Sequence, residues 1–272
     1  MKFLQYYEDG KIKVAVKERD FIIPFLFSGD LKELLLKKDL PELSKERIPI
    51  KEVKLAPPIV NPSKIIAIGL NYRGHIKESK GKIPEVPIIF SKFPNSIIGP
   101  DDYIVWKRSI TKKVDYEAEL AVVIGKEIKE CSEEEAIDAI FGYTCANDVS
   151  ARDLQFSDGQ WTRGKSLDTF CPIGPWIVTK DEIDPDSLEI RCYLNGRLMQ
   201  KSNTKEMIFS VPWLISFLSR HFTLLPGDLI LTGTPEGVGA FRNPSVWLKD
   251  GDEVVVEIEG IGRLVNRCKE LS

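Results

Sequence analysis

Five successive apolar residues, Leu120 to Ile124, closed by Gly125 and preceded by alternating acids, constrain this chain more than any other stretch. A short continuous apolar run bounded by glycine reads as a buried strand. Asp115, Glu117 and Glu119 lead into it. Side chains two apart on a strand share a face, so the three carboxylates would point the same way. Neighbouring carboxylates there lie about 6.6 Å apart and repel by roughly 2.5 kcal/mol per pair at an effective dielectric of 20. Facing water the cost is small, and the acids mark a solvated strand end. Facing inward they need a cation, and hard ions such as Mg²⁺ select oxygen ligands.

The 272 residues suit one large domain, or one with a small appendage. Hydrophobic residues make up 43% and charged residues 29%, an ordinary globular balance. A net charge of −3 gives no electrostatic footprint for nucleic acid or a membrane surface. No apolar run suggests a membrane span, and the first residues lack a signal-peptide pattern. The five cysteines (131, 145, 171, 192 and 268) are odd in number and scattered, with no Cys-x-x-Cys. Reduced thiols in a cytoplasm follow, rather than a disulfide or zinc framework.

Residues 1–58 read as a small N-terminal unit: a strand meander, then a helix capped by Asp30 with Glu33 completing a capping box. The proline-rich stretch 56–62 separates it from residues 59–272. Lys64 to Leu70 is a buried-strand pattern that runs into Asn71-Tyr72-Arg73-Gly74-His75-Ile76-Lys77-Glu78. On a helix, His75 and Glu78 share a face, where a carboxylate orients an imidazole and raises its basicity. Alone, such a pair reads more readily as a solvated surface contact. Glycines 74 and 81 and lysines 77, 80 and 82, with Ile76 the only large apolar anchor before Ile83, predict a segment that opens cheaply. Ser132 caps a helix with acids in its first turn, which Gly142 is expected to stop.

Gly159 to Ser166 matches G-x-x-x-x-G-K-[ST], the P-loop pattern. A P-loop needs a buried strand before it and a helix N-terminus after it. Phe156-Ser157-Asp158 is a poor strand, and Pro172, Gly174 and Pro175 cut short any following helix, so nucleotide binding is set aside. From Leu188 the pattern is β-rich, with a hairpin signal at Asn195-Gly196 and a helix after Ser210. His221 falls near the end of that helix and is given no catalytic role. Leu229 to Leu231 leads into Thr232-Gly233-Thr234-Pro235-Glu236-Gly237-Val238-Gly239, whose glycines lack dinucleotide-binding spacing.

Three motifs stand in order: Asp115-Tyr116-Glu117-Ala118-Glu119-Leu120, Asn147-Asp148-Val149-Ser150-Ala151-Arg152-Asp153, and Gly164-Lys165-Ser166-Leu167-Asp168-Thr169-Phe170 continuing to Pro175. Together they resemble the fumarylacetoacetate hydrolase (FAH) family, in its acylpyruvase and 2-hydroxyhepta-2,4-diene-1,7-dioate isomerase-like branch. The resemblance spans roughly Lys64 to Asn266. It implies an α+β, predominantly β fold: a mixed β-sandwich roll with a small N-terminal α/β domain, usually as a homodimer. It also implies that Glu117, Glu119 and Asp148 hold Mg²⁺ or Mn²⁺, with Ca²⁺ a further possible occupant. Arg152, Gln155, Lys165 and Thr234 match substrate-contacting positions, with Lys165 catalytic as well, and the Thr232–Gly239 loop faces the substrate with its amides. His75 and Glu78 match the acid–base pair of a lid. Asp115 has no role carried over. The implied enzyme acts on small 2-oxo acids through an enolate, by C–C hydrolysis or decarboxylation, with isomerisation the alternative. A nucleotide-binding protein and a non-catalytic metal- or anion-binding β domain are the rival classes.

Overall fold

The computed structural model describes residues 1–272. Two large sheets pack face to face. The larger has twelve strands, ten of them in the order Ile48–Pro49, Phe21–Pro24, Lys11–Glu18, Lys2–Glu8, Cys171–Thr179, Ile140–Asn147, Ala118–Ile124, Leu229–Leu231, Ile65–Gly69 and Ile88–Lys92. The smaller has five, in the order Arg197–Asn203, Glu189–Leu194, Glu253–Ile258, Gly262–Leu271 and Tyr103–Lys107. Pairing is mostly antiparallel, but Leu229–Leu231 runs parallel to Ile65–Gly69, and Gly262–Leu271 parallel to Tyr103–Lys107. The architecture is the mixed, predominantly β sandwich that the motifs imply.

The apolar run is central to it. Leu120, Val122 and Ile124 join the core shared with Ile190, Val254, Val256 and Leu264 of the five-stranded sheet. Ala121 and Val123 turn the other way, into a core with Phe3, Val14, Ile65 and Leu229. Both faces are therefore dry, which is why the strand shows no polar alternation. Truncating Leu120, fully buried in that core, would cost about 2–5 kcal/mol.

Residues 1–58 are joined to the rest by more than packing. Lys2–Glu8 pairs antiparallel with Cys171–Thr179, placing Lys2 opposite Val178, so the N-terminal strands extend the large sheet. Asp30 and Glu33 form the expected capping box, as do Ser132 and Glu135. The helix after Ser132 ends at Ala139, however, and Gly142 does not stop it. Gly142 lies inside the Ile140–Asn147 strand, where a Cβ would come 2.2 Å from the Val178 carbonyl oxygen. Its missing side chain allows close strand approach. The Asn195-Gly196 hairpin forms with both residues at positive φ, as a tight two-residue turn requires. No helix is long and apolar enough to cross a membrane.

Candidate active site

Strand register builds the carboxylate cluster. Ala118 stands opposite Asn147 in the pairing of Ala118–Ile124 with Ile140–Asn147, which sets Glu117 across from Asp148 just beyond the strand ends. Glu117 falls in a two-residue break between the Val114–Asp115 and Ala118–Ile124 strands, not in a continuous strand. The break is tied down at both ends of the peptide. The Glu117 N–H donates to Asn147 Oδ1 at 2.9 Å, and its carbonyl accepts from the Asp148 N–H at 2.9 Å. One ligand-capable oxygen from each of Glu117, Glu119 and Asp148 lies within 4.8 Å of the others.

Cations are threaded between them. Lys165 Nζ donates to Glu117 Oε2 at 2.8 Å and to Asp148 Oδ2 at 2.7 Å. Lys92 Nζ donates to Asp148 Oδ1 at 2.6 Å and also to the Lys165 carbonyl. Arg152 Nε donates to Asp115 Oδ2 at 2.9 Å, and its Nη1 to Gln155 Oε1 at 2.9 Å. Arg152 Nη2 stands 2.6 Å from Glu117 Oε1, an ion-pair contact without hydrogen-bond alignment.

Asp115, Glu117, Glu119, Asp148, Lys92, Arg152 and Lys165 are all buried. Four carboxyl groups thus face three cations, and Glu119 is the one that no lysine or arginine pairs with. Burial, Asp148 and Glu117 push the Glu119 carboxyl well above the usual carboxylate range, and only one backbone N–H, from Gly233 at 2.8 Å, holds it. Glu117 goes the other way. Burial favours its neutral form, but Lys165 and Arg152 more than offset that and bring it down to about 2. For Lys165, burial lowers the ammonium pKa and the carboxylates of Asp148 and Glu117 reverse the shift, so it stays charged.

This donor set suits a hard divalent cation. Every available ligand atom is a carboxylate oxygen, and each oxygen in a lysine bond keeps a second lone pair. Glu119, the carboxyl without a cationic partner, is the one such an ion would draw into its ionised form. Glu117, Glu119 and Asp148 are the residues that would hold it, as the sequence implies.

The Arg73–Glu78 helix closes over the cluster. His75 Nδ1 meets Glu78 Oε1 at 2.8 Å, while Glu78 Oε2 accepts the Gly237 N–H at 2.8 Å. With Nδ1 engaged, Nε2 is the free ring nitrogen of a side chain that lines the cavity. The expected mobility has a counterweight here: His75 and Ile76 are both buried, and Asn71 anchors the helix base by donating to the Thr232 and Phe209 carbonyls.

The Thr232–Gly239 loop is hydrogen-bonded to the carboxylates around it. Gly233 donates its N–H to Glu119 and Gly237 to Glu78, while Gly239 and Ala240 both donate to Asp115. The Thr234 hydroxyl donates to the Ala118 carbonyl at 2.9 Å and accepts from Gln200 Nε2 at 2.8 Å, so its proton is already committed. These amides hold the protein's own carboxylates. Gly233 and Gly237 both sit at φ +100°, which brings the amides to bear as no L side chain readily allows.

His75, Glu117, Glu119, Arg152, Gln155, Lys165 and Thr234 all line one cavity of about 340 Å³, at the small end of the range for small-molecule sites. Glu78 stands behind His75. The phosphate-loop resemblance fails on structure as well. No strand precedes Gly159, the Trp161–Lys165 helix is five residues long, and a Cβ on Gly164 would lie 2.7 Å from the Gln155 nitrogen. That glycine serves helix–helix approach.

Two members of the site, Lys92 and Asp115, are given no role by the sequence pattern or the resemblance. Lys92 ends the Ile88–Lys92 strand, and a lysine on the face of Ile88 and Phe90 was its only signal. Asp115, on the alternating acid pattern, anchors both Arg152 and the glycine loop.

The fumarylacetoacetate (FAA) hydrolase C-terminal family model matches residues 64–269. Mitochondrial oxaloacetate tautomerase Fahd2a of Rattus norvegicus is 50% identical over 222 residues, covering 81% of this chain and 71% of that protein. A fumarylacetoacetate hydrolase domain-containing protein 2 homolog of Dictyostelium discoideum is 50% identical over 239 residues, covering 84% and 78%. Among solved structures, 2-hydroxyhepta-2,4-diene-1,7-dioate isomerase of Mycobacterium marinum superposes with a TM-score of 0.85 at 38% identity, covering 99% of this chain and 98% of that one. Fumarylacetoacetate hydrolase of Exiguobacterium antarcticum superposes at 0.88 and 38%, covering 100% of both. With the family model matching residues 64–269, and the acids of the first two motifs and Lys165 of the third converging on one buried cluster, the chain belongs to the fumarylacetoacetate hydrolase family.

Proposed function

We propose that this protein is a metal-dependent enzyme that moves a proton between C3 and the C2 oxygen of a small 2-oxo acid, as a tautomerase or isomerase. The observation that carries the reading is the single His75–Glu78 pair beside the Glu117–Glu119–Asp148 cluster, with His75, Glu117 and Glu119 lining one cavity. Enolisation requires one base that takes a proton and gives it back. Hydrolysis would further require a water aimed at a second carbonyl. The names of the rat and mycobacterial relatives favour the same chemistry.

His75 Nε2 takes the C3 proton; the C–H electron pair becomes the C2–C3 double bond, and the carbonyl pair moves to oxygen. Returning the proton to that oxygen gives the enol. Glu78 fixes the ring on its Nδ1 side and stabilises the imidazolium. A divalent cation held by Glu117, Glu119 and Asp148 supplies positive charge opposite the developing anion. Lys165 and Arg152 add charge at the same end of the cavity, and Gln155, its oxygen taken by Arg152, keeps its amide hydrogens for a substrate oxygen. A second copy completing a homodimer is part of the same proposal.

Keto–enol exchange of oxaloacetate, followed by ultraviolet absorbance with Mg²⁺ and with EDTA, tests it. Metal-dependent exchange without release of CO₂ or pyruvate is expected. Cleavage of acetylpyruvate or fumarylpyruvate faster than exchange would replace this reading with C–C hydrolysis, and release of CO₂ from oxaloacetate would replace it with decarboxylation.

A further inference from the structure

We propose that Trp161 sets the length and polarity of the substrate tail by closing the far end of the active-site cavity with an uncharged aromatic wall. The inference rests on the 2-oxo acid reading and extends it to the part of the substrate that does not react.

The cavity is charged at one end only. Its lysine and arginine lining residues are Arg152 and Lys165, and both are paired with Glu117. The lining also includes the uncharged side chains of Leu70, Phe90, Phe156 and Trp161. A remote carboxylate placed against Trp161 would meet no lining cation that is not already paired with Glu117. The carboxylate at C4 of a four-carbon diacid is different, because it stays beside the reacting carbons and within the charged end. A methyl or short alkyl tail would gain apolar contact along the wall.

A second cavity of about 560 Å³ lies behind the wall, lined by Ile65, Ile66, Ile88, Ile89 and Phe222 among others. The two cavities have Phe90 and Trp161 in common and no other lining residue. These rings stand edge to face, 5.3 Å between centroids and 69° between planes, as the partition. Phe90 also lies under Lys165, whose Nζ is 5.2 Å from the ring centre, so the charged end braces it. Trp161 is seated on Gly69. A Cβ at that position would lie 2.4 Å from Trp161 Cζ3, although Gly69 is not among the positive-φ glycines. Glycine is required there by the indole.

The test measures binding of unbranched 2-oxo acids of increasing length by calorimetry in the presence of Mg²⁺, so it does not depend on turnover. In the wild type, affinity should rise with the first methylenes and then fall about tenfold or more at one further methylene. An acid with a terminal carboxylate at the far end should bind at least about tenfold more weakly than its methyl-ended counterpart. Trp161→Ala joins the two cavities, and should raise the affinity ratio of long to short tails by about tenfold or more. Gly69→Ala pushes the indole into the cavity and should move the break to a shorter tail. Comparing ratios removes any loss common to all ligands, and Gly69→Ala carries the test if Trp161→Ala does not fold. Length profiles that coincide in wild type and a folded variant would overturn the role of Trp161 alone. Absence of binding at every length would overturn the functional reading and this inference with it.

Discussion

The carboxylate cluster and the helix above it are held by opposite means. In the cluster, Asp148 carries a lysine on each oxygen, Asp115 accepts from Arg152 and two loop amides, and every charged side chain is buried. Removing any partner strands a charge in a dry interior. The Arg73–Glu78 helix is fastened to the body by one amide from Gly237, the Asn71 anchor at its base, and the burial of His75 and Ile76. A rigid charged floor under a lightly fastened cover lets the metal ligands stay in place while substrate enters.

Breaking the floor should have the largest effect. Lys92→Met removes the ammonium from Asp148 Oδ1 and should destabilise the protein by roughly 3–5 kcal/mol in urea titration. A loss below 1 kcal/mol would mean that Lys165 alone suffices to hold Asp148. Cutting the cover should spare stability and cost rate. Glu78→Gln keeps the shape but removes the charge that supports His75, so kcat should fall by about 10²-fold or more while calorimetric metal affinity stays near wild type. Loss of metal binding in that variant would merge the two regions into one.

Glu119→Gln separates the two carboxylates that share a strand pattern but not an environment. Metal affinity should fall at least about tenfold, a loss of ~1.4 kcal/mol. Without metal the variant should be more stable than wild type, because Gln relieves the repulsion from Asp148 and Glu117. A metal-free variant less stable than the wild type would refute that balance. The smallest effect concerns motion. Amides of residues 73–78 should exchange with solvent by local opening, faster than those of 118–124, and slow several-fold when Mg²⁺ and oxalate are added together. Equal protection in both segments would erase the distinction.

The floor and the cover were legible to different depths. The alternating acids beside an apolar strand mark Glu117 and Glu119, and helical spacing marks His75 with Glu78, but both patterns also fit solvated surface, and it is the family resemblance that implies their roles and that of Asp148. Their partners are another matter. Lys92 lies 56 residues from Asp148 and Gly233 lies 114 from Glu119, and no local periodicity encodes contacts at such separations. The Thr234 hydroxyl bonds a strand carbonyl of residue 118, a partner 116 residues away that local pattern does not encode. The pairing of Lys2–Glu8 with Cys171–Thr179 was invisible for the same reason, and Gly142 looked like a helix stop because the strand it must admit is remote in sequence.

The glycine loop also bears on how the chain matures. Its amides fasten Asp115, Glu78 and Glu119, yet it is made after all of them. At roughly 5–20 residues per second, a ribosome adds the stretch between Glu119 and Gly233 in about 6–23 s. During that interval the acids and the apolar run beside them exist without their clasp, the Leu229–Leu231 edge of the central strand unpaired. Nascent chains halted before residue 229 should therefore be protease-sensitive at 118–124 and engage chaperones, whereas chains extended past residue 240 and clear of the exit tunnel should not.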